Sequence, residues 1–226
     1  MNVRRSFSSK HTFRRLLVGV LLFCLLSTML LSCKKEKREE EESSRPAAMD
    51  YSQIEDFSLY VSLSRYTGLE IYLESESDRK SQRVWEAVLG SAEVLRYPEE
   101  QVRYYEEQTK ATYRYYGQKN GWSLEETMDK LGVSEESIRA EAREMVKGDL
   151  VYHYIVDDAG ILLTEEEKAT LFDRYAKQYA ESYGYEVGYV TEQLSHLVYD
   201  SMLYDKTMEY LILHNDFILP EGGTGS

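Results

Sequence analysis

The 226-residue chain has little cysteine, proline or histidine, and each shortage closes off a class of explanation. Its two cysteines are Cys24 and Cys33. Everything after Cys33 is free of thiols, so neither a disulfide framework nor a cysteine metal site can be built there. The four histidines stand apart. His153, His196 and His214 have no cysteine or second histidine at ligand spacing, and His153, after Val151 and Tyr152, reads as a packed or half-exposed helix residue rather than a ligand. No HExxH, GxSxG, P-loop or GxGxxG pattern occurs. Three prolines leave long helices possible. Basic excess is lacking too: 27 Lys and Arg face 40 Asp and Glu, a formal net charge of −13, which argues against nucleic acid as a partner. Carboxylates are so abundant that no pair stands out for acid–base work. Asp157 and Asp158, before Gly160, read as a turn. We therefore expect no enzyme, no cofactor and no metal.

One long apolar run is present, Leu16 to Leu31, preceded by Arg4, Arg5, Lys10, Arg14 and Arg15. That is the layout of a secretory signal. The run is shorter than the roughly 20 residues of a spanning helix. It ends in "LLSC", which resembles a bacterial lipobox. The resemblance implies cleavage before Cys33 and lipidation of its thiol, with anchoring outside the cytoplasmic membrane; two acyl chains suffice for stable attachment. "KKEKREEEESSRPAA" then reads as a solvated tether. The expected organisation is residues 1–32 signal, 33–49 charged tether, 50–76 extended segment, 77–219 helical body and 220–226 flexible tail, the body forming one elongated domain or two small lobes.

Within 50–76, "YVSLSRYTGLEIYLES" alternates apolar residues at Val61 and Leu63 and again at Leu69, Ile71 and Leu73, a strand pattern. Helical spacing takes over afterwards. A first helix spans Ser77 to Ser91, with Val84, Trp85, Val88 and Leu89 on one face. Pro98 opens a second, which Asn120 and Gly121 stop. Capping boxes at Ser123–Glu126 and Thr164–Glu167 open two more. Ser134 caps a long helix carrying Ile138, Ala142, Met145, Val146 and Leu150, and the last helix is expected from Thr191 to His214. Six helices with only the opening stretch extended make the protein mainly α, with that stretch kept as an arm or hairpin.

The abundant chemistry is tyrosine, 20 residues against 6 Phe and 2 Trp. At about 100° per residue, Tyr104, Tyr105, Tyr113, Tyr115 and Tyr116 cover about half the circumference of the second helix, wider than the roughly 100° stripe of one buried face. Tyr175, Tyr179 and Tyr183 recur four apart. Tyrosine joins a large apolar face to a polar tip, which suits weak binding of varied partners. With Trp122 and Met202 these residues are the candidate client-binding set.

"RVWEAVLGSAEVLRYPEEQV", "GWSLEETMDKLGVSEESIRAEAREMVKGDLVYHYIVDDAGILLTEEE" and "DKTMEYLILHN" together resemble the C-terminal domain of trigger factor, related in architecture to SurA. The resemblance covers roughly residues 78–215. Tyr97-Pro98 match the start of the first arm helix, Gly121 and Gly132 the turns around a short helix, and Lys206 to Leu211 the closing helix. It implies helical arms around a partly apolar cradle that holds unfolded chains without ATP. "YVSLSRYTGLEI" resembles the extended linker that in such proteins leads into an FKBP-type isomerase, but between Ile71 and the helix expected from about Ser77 there is no room for a domain of roughly 100 residues. The ribosome-docking domain is absent too, so isomerisation and ribosome binding are not expected. The expected partners are unfolded exported polypeptides and, through Cys33, the membrane. A rival reading is a lipid-anchored module that holds one specific folded partner.

Overall fold

The computed structural model describes residues 46–75 and 78–219. The signal run, Cys33, most of the tether and the tail lie outside them. Seven α-helices and four short strands are present among the described residues: β1 (Val61–Leu63), β2 (Glu70–Tyr72), α1 (Lys80–Ser91), β3 (Ala92–Val94), α2 (Glu99–Asn120), α3 (Leu124–Leu131), α4 (Glu135–Asp158), α5 (Glu165–Tyr183), α6 (Val187–Gln193), α7 (Ser195–Leu213) and β4 (Asp216–Ile218). The protein is mainly helical, as its periodicity indicates. The described chain divides into two compact units, residues 46–49 with 99–143 and residues 50–98 with 144–219; the boundary falls within α4.

In the first unit, α2 packs against α3 across a tight turn. Gly121 closes α2 with a left-handed φ of 73°, its N–H bonding to the Gln118 carbonyl while Trp122 N–H reaches the Gly117 carbonyl. A side chain with a Cβ resists that conformation, which is why the Asn-Gly pair stops the helix. The Ser123–Glu126 capping box then forms as expected: Glu126 N–H donates to Ser123 Oγ (3.1 Å) and Ser123 N–H to Glu126 Oε2 (2.8 Å). Ser134 caps α4 reciprocally with Ser137, a serine standing where the box has a glutamate. Arg139 and Lys110 tie α4 to α2 through Glu106 (3.0 Å) and Glu135 (2.7 Å). Val102, Ile138 and Ala142 are fully buried.

The second unit holds all four strands. Leu69, Ile71 and Leu73 point inward while Glu70 and Tyr72 point out, the alternation read from the sequence. The pairing differs from a hairpin. β1 runs antiparallel to β3, with Val61 opposite Val94, and β2 runs parallel to β4, with Ile71 opposite Phe217. The opening stretch is thus divided between two separate two-stranded sheets, and β3 and β4 are extended segments beyond it. The expected helix start at Ser77 lies outside the described residues; α1 begins at Lys80, after Asp78, which is engaged in the preceding loop, accepting from Glu74 N–H (2.7 Å) and pairing with Arg83 (3.0 Å).

Asn215 joins the end of α7 to that loop system. Its Oδ1 accepts from Leu69 N–H (2.8 Å), and its Nδ2 donates to the carbonyls of Tyr66 (3.0 Å) and Leu211 (2.7 Å). Gly68 N–H to the His214 carbonyl (2.8 Å) and Asp216 N–H to the Leu69 carbonyl (2.9 Å) complete the seam. α7 packs against both α1 and α5, which is why apolar residues occur around most of its circumference. The expected continuous helix from Thr191 is broken: α6 ends at Gln193 and α7 restarts after Leu194. α5 opens on the Thr164–Glu167 box, with Glu167 also accepting from Lys206 of α7. That ammonium, with Thr164 N–H, holds the Glu167 carboxyl at about 2.

Candidate functional site

Two aromatic surfaces follow from these elements, one in each unit. On α2, Tyr104 and Tyr105 meet edge-on, their centroids 5.4 Å apart, and both rings are half-buried, as are Tyr113 and Tyr115. At the α2–α3 turn, Tyr116 meets Trp122 edge-on at 6.2 Å. Tyr116 is 46% exposed, and Leu131 beyond it equally so. Lys119 lies over Tyr115 (4.5 Å) and Lys130 over Trp122 (4.9 Å). Each ammonium thus sits over a ring face, where the negative face of the π-system attracts it. The structure therefore brings Tyr116 and Trp122 together and leaves the other α2 tyrosines partly covered.

The second surface surrounds the small core formed by Ala176 and Ala180 of α5, Val190 of α6, and Val198 and Met202 of α7. Alanine on α5 lets the neighbouring helices approach, so the larger rings are pushed to the rim. Tyr179 and Tyr183 pair at 4.5 Å. Tyr175 packs on the same core, and its hydroxyl donates to Asp205 (2.8 Å). Burial and that carboxylate push the Tyr175 phenol up, so it stays protonated at neutral pH. Met202 corrects the sequence reading. It is 2% exposed, sealed among α5, α6 and α7, and is core rather than client surface.

Sequence reasoning missed two ring pairs here. Tyr185 and Tyr189 lie 5.4 Å apart, with Tyr189 43% exposed, and Phe172 meets Tyr199 at 5.0 Å. The four-residue spacing of Tyr185 and Tyr189 was a usable signal. The sequence reading assigns the segment between Tyr183 and Thr191 to no element, whereas Val187 to Gln193 is helical. Among the described residues, no group of three or more His, Cys, Asp or Glu is placed to hold a metal ion. No described helix is long and apolar enough to cross a membrane.

Comparison with known proteins adds little. No family model and no curated protein matches the chain. Among solved structures, a hypothetical Mycoplasma protein, MPN555, is similar at 12% identity over 73% of this chain and 93% of that one, with a TM-score of 0.46. A likeness that low carries no argument about fold family or function.

Proposed function

We propose that this protein is an ATP-independent extracytoplasmic chaperone, lipid-anchored through Cys33, that holds unfolded exported polypeptides against its aromatic surfaces. The supporting observation is the paired, half-exposed rings of Tyr116–Trp122, Tyr179–Tyr183 and Tyr185–Tyr189. Each pair offers apolar area with few rotors to freeze. A client ring that pairs with one of them adds about 0.5–1.5 kcal/mol beyond the area it buries, so single contacts release quickly. Several such contacts along one extended client raise retention through effective concentration. The sequence resemblance to the trigger-factor C-terminal domain points the same way, and the acidic exterior opposes self-association.

The test is aggregation of a denatured substrate with and without the soluble body from Lys34 onward. Suppression near stoichiometric ratios is expected. Replacing Tyr116, Trp122 and Tyr189 by Ser should raise the amount needed at least roughly tenfold, the lower end of what three ring contacts supply. No suppression at molar excess removes the chaperone reading. Capture of one folded protein in fixed stoichiometry favours the binding-module rival. For the anchor, Cys33→Ala should move the protein from the membrane fraction to the soluble fraction or stall its maturation. An unchanged membrane fraction would indicate an uncleaved apolar segment instead.

A further inference from the structure

We propose that residues 50–59 form an acid-released strap, latched onto α4 by aromatic stacking on His153 and lifted when that imidazole becomes charged. The strap consists of two one-turn 3-10 helices, Tyr51–Gln53 and Phe57–Leu59. Each is closed locally by an aspartate. Asp50 accepts from Ser52 N–H (3.0 Å) and Gln53 Nε2 (3.0 Å), and Asp56 accepts from Ser58 N–H (2.9 Å). These bonds satisfy the strap internally, so its attachment falls to the side chains it buries. Tyr51 and Phe57 are 8% and 7% exposed, whereas Ser52, Gln53, Glu55, Asp56, Ser58 and Leu59 face solvent.

Both buried rings lie on the same partner. Tyr51 stacks on the His153 imidazole at 4.6 Å and 19°, and Phe57 at 5.9 Å and 8°. The Tyr51 hydroxyl donates to Asp149 Oδ2 (3.0 Å), one helical turn before His153. Tyr152 closes the imidazole edge-on at 5.0 Å. The titratable groups around the ring are therefore Asp50 and Tyr51 from the strap and Asp149 and Tyr152 from α4. Neutral imidazole fits this apolar sandwich; imidazolium loses hydration there, and the cation–π attraction of the rings offsets only part of the loss. Burial accordingly pushes His153 down to about 4, with Asp50 opposing weakly.

Lifting the strap returns His153 to water, where its ordinary value is 6.5. The lifted state thus binds the proton more readily than the latched one. Latching is at full strength above pH 6.5 and weakens as pH falls from 6.5 toward 4. At pH 5 the opening equilibrium should exceed its value at pH 7.5 by roughly 30-fold. Glu167 and Asp50, both held low, titrate below this window. Lifting also uncovers the Tyr51 and Phe57 rings.

Amide hydrogen exchange on the full chain, corrected for intrinsic pH dependence, tests the strap. Ile54 and Tyr60 N–H groups, bonded to the Tyr51 and Phe57 carbonyls, report on it, because a one-turn helix does not persist once the ring that anchors it leaves α4. Their opening should rise roughly 30-fold from pH 7.5 to pH 5 while α7 amides keep their protection. His153→Phe should abolish the dependence and keep the strap latched. Equal loss of protection throughout the second unit, or a pH dependence surviving in His153→Phe, overturns the proposal. If that variant fails to fold, an NMR titration of the native protein decides: Tyr51 and Phe57 ring signals that move together with the charging of His153, at a midpoint below 6.5, support the latch, and rings that stay unmoved or a midpoint near 6.5 refute it.

Discussion

Asn215→Leu should destabilise the second unit by about 3 kcal/mol or more, among the largest single-residue effects expected anywhere in the chain. The size follows from what the change leaves behind. Leucine fills a similar volume, but Leu69 N–H loses its acceptor and the Tyr66 and Leu211 carbonyls lose their donor. Each orphaned buried group costs about 1–3 kcal/mol, and the alignment of β2 beside β4 rests on the same seam. Chemical denaturation should show a lower midpoint with little change in slope. Hydrogen exchange should show the Gly68, Leu69 and Asp216 amides losing protection first. A variant with unaltered stability would mean that the three bonds are replaced by water at no cost, contrary to the burial of Asn215.

Gly117→Val should disrupt the α2–α3 turn to a similar extent. A Cβ at this position would stand 2.3 Å from Thr127 Oγ1 and 2.9 Å from the Trp122 carbonyl, both closer than real side chains approach. The glycine is buried, and Thr127 is itself fixed by donating to the Ser123 carbonyl (2.7 Å). Overpacking typically costs about 1–3 kcal/mol, and the backbone contact cannot rotate away, so valine belongs at the upper end. Alanine gains about 1 kcal/mol of helix propensity over glycine yet should still destabilise. Adding Thr127→Ala to Gly117→Ala should recover only part of the loss, because the Trp122 carbonyl stays in place. Full recovery in that double-mutant cycle would assign the whole clash to the hydroxyl. Since Tyr116 and Trp122 flank this turn, the valine variant should also weaken the client holding proposed for them.

The helices were legible because their signals are local. Ile138, Ala142, Val146 and Leu150 repeat at helical spacing and are all buried, and both capping boxes lie at the predicted residues. The strands were only half legible. Leu69, Ile71 and Leu73 announce β2, but its partner β4 lies far along the chain, and a three-residue strand has too little length to show a period. Ala92–Val94 follows α1 without a break and was hidden for the same reason. Asn215 carries no local mark at all, since its role depends on a loop brought to it by folding.

The candidate surface was legible in kind and not in detail. Tyrosine abundance pointed to half-exposed rings, and Tyr116, Tyr179 and Tyr183 occupy such positions. Spacing cannot say which side of a helix meets a second partner, and Met202 shows the consequence: α7 is covered on more than one side, so a residue read as client surface is core. His153 read as a packed or half-exposed helix residue rather than a ligand, and it is half-buried on α4. Its neighbours Tyr51 and Phe57 come from a segment about 100 positions earlier that no periodicity connects to it.

The most direct test of client holding is an NMR titration of the isotopically labelled body with a soluble, permanently unfolded polypeptide. The account predicts saturable shifts at the rings of Tyr116, Trp122, Tyr179, Tyr183 and Tyr189, with the Met202 methyl group and the ring neighbours of His153 unmoved at pH 7.5. Unchanged ring signals at saturating polypeptide, or shifts confined to residues away from both aromatic surfaces, would contradict it.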